Sequence, residues 1–390
     1  MKTRTGTGRF LLTVAAAICC GSGDGTGTPP GPGTANGGED FLAGGDVSLL
    51  ARIEALGGVY RADGRAKDAL QILKDHGCTC MRLRIFHSPN GRGGVVNDLD
   101  YTRKLARRIK AAGFKLLLDF HYSDTWADPG HQTKPAAWRR LPPDKLRQAV
   151  FAYTRDVVAS LGKAGARPDL VQIGNEITPG MLWPTGRVGG TFDTPAQWRQ
   201  LAGLIRGGIR GVRAGAGAGA PVRIMIHLDR GGSPAVTRWF FDKLLAEGVT
   251  FDVIGLSYYP WWHGSLGNLR KNLAATARRY RKDIVVVETA YPWRGGQPRG
   301  NGKPAAVAFP ATPAGQKAFL TELIRIVRQT PDGRGKGVIY WAPEWIAVKG
   351  LRARADLALF DAHGRALPAL GAFARPSGSR REKRGPPTPR

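Results

Sequence analysis

The stretch Leu170-Val171-Gln172-Ile173-Gly174-Asn175-Glu176 decides how this chain folds. A short, largely apolar run of β-type residues ends in an amide and a carboxylate, and a loop holding Pro179, Trp183 and Pro184 follows. The pattern recurs in Ile284-Val285-Val286-Val287-Glu288, with Pro292 and Trp293 beyond it. Six further runs resemble these two: Phe41–Asp46, Cys80–Phe86, Lys115–His121, Val222–His227, Val253–Tyr259 and Gly337–Trp341. The segments between them carry helical spacing, such as Leu105, Ile109 and Ala112, or Leu70, Leu73 and Lys74 ahead of Gly77. Strand, helix, strand, repeated, implies a parallel sheet. Eight repeats imply closure into an α/β, (β/α)8 TIM barrel. A doubly wound open sheet is the alternative, but no glycine-rich phosphate fingerprint follows any run.

Around this body the ends have a different character. Lys2, Arg4 and Arg9 precede the apolar stretch 10–20, the layout of a secretory signal peptide over residues 1–20. That stretch is too short for a comfortable membrane span, and Cys19 and Cys20 lack a good lipobox ahead of them. The expected location is therefore secreted or cell-envelope, with no integral membrane segment after processing. Residues 21–38 are rich in Gly, Pro and Thr and read as a flexible linker. A single catalytic domain over 39–375 follows, then a disordered basic tail over 376–390.

Composition narrows the function. The 58 basic and 30 acidic residues give a formal net charge of +28, which favours contact with polyanions. No compact basic and aromatic module of the nucleic-acid type is present, so the excess reads as an arginine bias over helix faces and tail. Cys78 and Cys80 are expected on one strand face as buried thiols, poorly placed for a disulfide. No Cys/His spacing suggests zinc, and neither a metal nor a cofactor is expected.

The strand ends carry the chemistry. Asp46, Arg84, His121, Asn175, Glu176, His227, Tyr258, Tyr259, Glu288 and Trp341 stand where a core strand would continue apolar. In a barrel they share one mouth, the C-terminal face where such positions read as catalytic. Two carboxylates there are the minimum for cleaving a glycosidic bond, one as acid and one beside the anomeric carbon. Arg84 or a tyrosine hydroxyl would keep one ionised, and desolvation would keep the other protonated. Spacing alone does not say which is which. Trp126, Trp138, Trp183, Trp261, Trp262, Trp293 and Trp341 lie in or beside strand-end loops, and about half are expected to stack on sugar.

These motifs resemble the endo-β-1,4-galactanases (arabinogalactan endo-1,4-β-galactosidases) of glycoside hydrolase family 53. The likeness runs through Gly44-Gly45-Asp46-Val47-Ser48, Arg82-Leu83-Arg84-Ile85 and the long run 119–129, Asp-Phe-His-Tyr-Ser-Asp-Thr-Trp-Ala-Asp-Pro. It continues through Gln172–Ile177, Gly180–Pro184, Ile224–Asp229, Ser257–Pro260, Val286–Thr289 and Tyr340–Trp345, and closes at Leu359-Phe360-Asp361. The resemblance implies Glu176 as acid/base, Glu288 as nucleophile and retaining hydrolysis of β-1,4-galactan or type I arabinogalactan. It implies sugar-binding roles for Asp46, Arg84, His121, Asp124, Trp126, Asn175, Trp183, His227, Tyr259, Tyr291 and Trp341. A monomer acting on polysaccharide, without nucleic acid, is expected.

Departures from the family pattern fall in loops. Phe86-His87-Ser88-Pro89 replaces the usual Trp-containing segment, and loop 347–359 lacks the acidic ligands of calcium-binding members. Competing functions are another retaining endo-glycosidase, acting on β-glucan or mannan, a non-catalytic carbohydrate-binding barrel, or a polyanion binder.

Overall fold

The computed structural model describes residues 41–374 except 220, 296–298, 301–302, 305–308 and 352–353. The signal peptide over 1–20, the linker over 21–38 and the tail over 376–390 lie outside the described residues.

Eight parallel strands close into a barrel. In chain order they are β1 (Leu42–Asp46), β2 (Cys80–Ile85), β3 (Lys115–Phe120), β4 (Leu170–Ile173), β5 (Arg223–Leu228), β6 (Val253–Ser257), β7 (Asp283–Glu288) and β8 (Gly335–Trp341). Each pairs with its neighbours in sequence, and β1 closes the ring against β8 with Asp46 beside Trp341. Every run expected from sequence forms a strand. Helices between consecutive strands cover the outside, the longest being Pro143–Lys163 and Pro195–Gly215. Their starts are set locally. Asp98, Thr194, Ser233, Ser265 and Thr312 each cap a helix by accepting a backbone N–H from its first turn.

The period of two along each strand sorts the core into two bodies. Met81, Leu83 and Ile85 of β2 face the helices with Leu116, Leu118, Val171, Ile173, Ile224 and Ile226. Cys80, Leu117, Leu170, Met225, Val253, Val285 and Ile339 form a separate apolar plug inside the barrel. One step along the same inward rows, the side chains turn polar: Arg82, Asp119, Gln172 and His227, all buried. The barrel is thus apolar near its N-terminal end and charged toward its mouth.

This sorting corrects the reading of the two cysteines. The strand begins at Cys80, and Cys78 lies before it, packed in the outer core while Cys80 joins the inner plug. They do not share a face, because alternation starts only where the strand does. Both thiols are free and buried, and burial pushes Cys80 up to about 12.

Candidate active site

The two glutamates are placed differently, Glu176 by a backbone turn and Glu288 by the strand itself. After β4, Gly174 takes φ 80°, and a Cβ there would meet the Ile177 side chain at 2.6 Å. Glu176 itself has φ 49°, a left-handed conformation costly for a non-glycine residue. Its N–H donates to His227 Nδ1 at 3.3 Å, which helps hold that turn. Glu288 needs no turn, since it is the last residue of β7.

Both carboxylates border one cleft of about 220 Å³ at the mouth. Its floor is Arg82, Arg84, His121 and Asn175, and its walls are Trp126, Asp128, Tyr259, Trp261, Trp262, Trp341, Arg354 and Leu357. Of the seven tryptophans expected in or beside strand-end loops, Trp126, Trp261, Trp262 and Trp341 border the cleft. Among the others, Trp183 donates to Pro179 O at 2.9 Å and Trp293 to Ala355 O at 2.7 Å, fastening loops. Trp138 is buried against His87, with ring centroids 4.7 Å apart.

The cation that matters most is Arg82, one inward step below Arg84. Its Nη1 donates to Glu288 Oε1 at 2.8 Å and Asp46 Oδ2 at 3.0 Å. Its Nη2 donates to Asp119 Oδ2 and Asn175 Oδ1, both at 2.8 Å. Of the two sequence expectations for this role, a tyrosine hydroxyl does reach Glu288, through Tyr259, but Arg84 does not. It instead reaches Asp46 Oδ1 at 3.2 Å and lies 4.2 Å over the Trp126 ring. The reason is depth, because the Glu288 carboxyl turns back into the barrel toward the lower arginine. Arg82, Asp119, Gln172 and Ser257 were missed by attention to strand ends. The signal was a charged or polar residue at each inward position of an otherwise apolar run.

The environments of the two glutamates differ. Burial raises both from the ordinary carboxylate range. For Glu176 the Glu288 and Asp229 charges push further in the same direction, so its carboxyl lies well above that range, with Ser257 and Arg82 opposing. For Glu288, burial is countered first by Arg82, and the Tyr259 hydroxyl donates to Oε2 at 3.1 Å. A carboxyl gripped by a guanidinium and a phenol is the one that ionises. The other holds its proton. The ring then carries three carboxylates, Asp46, Asp119 and Glu288, against the guanidiniums of Arg82 and Arg84. That imbalance favours a positive charge developing in the cleft.

The remaining expected site residues divide by depth. His121 borders the cleft, its Nδ1 accepting from Ala127 N–H at 2.9 Å and its Nε2 3.1 Å from Asp119. Asn175 also borders it, its Oδ1 accepting from Arg82 at 2.8 Å and one hydrogen of its NH2 donated to Ala127 O at 2.8 Å. Asp46 and His227 are fully buried beneath the floor. Asp124 lies aside, accepting from Ser88 N at 3.0 Å and Ala136 N at 2.8 Å. Trp183 is not among the residues lining the cleft, and its ring is covered by Arg187 at 4.5 Å. Tyr291 is wholly buried, its ring stacked on Phe319 at 4.5 Å, which removes it from contact with a substrate. In the departing segment, Phe86 packs against His121 and Trp126.

Near the Asp46 end of the ring, Glu344 is 1% exposed, and its Oε1 accepts from Leu49 N–H at 3.0 Å. Burial, then the Asp46 charge, moves its carboxyl from 4.5 up to about 8. A group protonated in the fold and ionised when unfolded loses stability as pH rises from the unfolded value through the folded one. Each pH unit in that window corresponds to about 1.4 kcal/mol. Glu344→Gln should therefore leave stability nearly unchanged near pH 4 and raise it by several kcal/mol near pH 8. Denaturant titrations of both proteins across that range check this.

Residues 42–373 match the model of glycosyl hydrolase family 53. The chain is 37% identical over 340 residues to the arabinogalactan endo-beta-1,4-galactanase of Thermothelomyces thermophilus, covering 85% of this chain and 98% of that one. It is 36% identical over 319 residues to the enzyme of that name from Cellvibrio japonicus, covering 79% and 82%. The Ignisphaera aggregans GH53 catalytic domain aligns with a TM-score of 0.78 at 36% identity, over 86% of this chain and 95% of that one. With the family model spanning the whole barrel and the paired glutamates standing at its mouth, this chain belongs to glycosyl hydrolase family 53.

Proposed function

We propose that this chain is an exported endo-β-1,4-galactanase that cleaves β-1,4-galactan, including type I arabinogalactan, with retention of anomeric configuration. The observation that carries the reading is the pair Glu176 and Glu288, in one cleft and in unequal environments. The galactan assignment is supported by the activity named for the relatives. Export rests on the composition of residues 1–20.

In the first step a Glu288 oxygen bonds to the anomeric carbon as the bond to the leaving sugar breaks. Glu176 gives its proton to the leaving oxygen. In the second step Glu176, now a carboxylate, takes a proton from water, and the water oxygen displaces Glu288 from the anomeric carbon. Each step passes through an oxocarbenium-like state that the surplus negative charge of the ring stabilises. Retention requires carboxyl groups about 5–5.5 Å apart, too close for an intervening water.

Reducing-sugar release from galactan, β-glucan and mannan tests the substrate, and inactivity on galactan overturns the assignment. NMR of the first product tests retention, with the β-anomer expected to appear first. Trp262 is 57% exposed, and its ring lies 5.4 Å from that of Tyr259. An exposed ring beside the reacting sugar serves binding more than chemistry. Trp262→Ala should raise KM for galactan roughly tenfold with kcat within about twofold, as loss of uniform binding requires.

A further inference from the structure

Glu176 is held from behind by a short relay. Ser257 ends β6, and its Oγ lies 2.6 Å from Glu176 Oε1. His227 Nε2 lies 2.8 Å from the same Oγ. Both residues are fully buried. The direction of each bond follows from what surrounds the imidazole. The backbone N–H of Glu176 can only donate, and it points at His227 Nδ1 at 3.3 Å. Asn175 Oδ1 is 3.1 Å from that atom, but it already accepts from Arg82 at 2.8 Å and from the Gln172 amide at 3.1 Å, which uses both its lone pairs. Nδ1 therefore offers its lone pair, and the ring proton is on Nε2. Burial and the nearby Arg82 charge keep the imidazole neutral. Nε2–H donates to Ser257 Oγ, and the serine has one hydrogen left, aimed at Glu176 Oε1. An oxygen that accepts this bond cannot also direct a proton along it.

We propose that His227 and Ser257 are positioning residues that reserve Glu176 Oε1 as an acceptor, so that the transferable proton resides on Oε2. This rests on Glu176 being the acid/base. The relay fixes the carboxyl's rotation during both steps, and stabilises the carboxylate left after the first. The other charged or titratable groups facing Glu176 are Glu288 from β7, Asp229 beyond β5, Arg82 from β2 and Tyr259 beyond β6. None of them donates a hydrogen bond to Oε1 in the structure.

Ser257→Ala is the test, read as kcat/KM on two substrates. On galactan the leaving oxygen needs a proton, and a loss of roughly tenfold or more is expected. On a dinitrophenyl β-galactobioside the phenolate leaves unaided, and a change below about threefold is expected. Removing the donor to the carboxylate should also move the alkaline limb of the galactan profile to higher pH. Ser257→Thr, which keeps the hydroxyl, should restore both. Equal losses on the two substrates, or an unmoved alkaline limb, would overturn the proposal. Nitrogen-15 NMR of the unmutated protein gives a readout independent of any variant: the Nε2–H tautomer of His227 is expected, and the Nδ1–H tautomer overturns it. Glu176→Gln separates this inference from the one beneath it. If Glu176→Gln still cleaves galactan, the acid/base assignment fails. If it does not, while Ser257→Ala behaves as unmutated protein on both substrates, only the relay fails.

Discussion

Glu288→Gln should lower kcat on galactan on the order of 10⁴-fold while leaving the fold intact, the scale seen when one member of a catalytic unit is removed. The amide has the shape of the carboxylate: its oxygen can accept from Arg82, which donates to Glu288 Oε1 at 2.8 Å, and its NH2 can donate to the Tyr259 hydroxyl, 3.1 Å from Oε2. It has no charge with which to bond the anomeric carbon, so neither step can proceed. Arg82 keeps Asp46 and Asp119 as partners, so no buried cation is left alone. The melting temperature should shift by only a few degrees. A fluorinated galactoside inactivator with a good leaving group should label Glu288 in the unmutated protein and leave Glu288→Gln unlabelled, read by peptide mass spectrometry. Undiminished hydrolysis by the variant would show that the nucleophile is elsewhere.

Arg82→Met should damage activity and stability together. The guanidinium binds acceptors from four strands or strand ends: Asp46 of β1, Asp119 of β3, Asn175 beyond β4 and Glu288 of β7. Removing one partner of a buried ion pair typically costs about 3–5 kcal/mol, and here three carboxylates lose their shared cation. Hydrolysis should fall to background, since Glu288 would no longer be held ionised. The sign of the pH dependence follows from Asp119. Burial raises its carboxyl, but Arg82 and then His121 outweigh that and hold it below the usual value. A depressed carboxyl contributes stability above its unfolded pKa that is lost as pH falls through its folded one. The deficit of Arg82→Met should therefore be largest near neutrality and shrink in acid, measured by denaturant midpoints at a series of pH values. Arg82→Lys should recover part of the stability but little activity, because one ammonium cannot span four acceptors in fixed directions.

The barrel was legible because its evidence is repetitive. Eight apolar runs at helix-spaced intervals leave few alternatives, and all eight runs became strands. The two glutamates were legible because a carboxylate ending such a run is chemically out of place. The floor of the site was harder to read. Arg82, Asp119, Gln172 and Ser257 sit inside the runs, where the eye takes a lone polar residue for an interruption. Alternation from Cys80 through Arg82 to Arg84 places all three inward, but that requires knowing where the strand begins. Aromatic residues were the least legible. Tyr259 and Tyr291 both follow strands, yet one donates to Glu288 and the other to Phe309 O. Nothing local separates them. The difference is made by what each meets further along: for Tyr291, Phe309 near the far end of the same connection and Phe319 in the helix that follows.

The grip of Arg82 on several strands also bears on how the protein can be altered. Residues that share one counter-ion do not change independently, so effects of substitutions at Asp46, Asp119, Asn175 and Glu288 should be strongly non-additive. A library that varies these positions one at a time would find almost nothing that works. Trp261 and Trp262, from the short helix Pro260–His263, and Arg354 and Leu357, from a loop, border the cleft and take no part in the buried ion pairs. Directed evolution toward longer products or other β-linked sugars has its freedom there, above a floor that can be replaced only as a set.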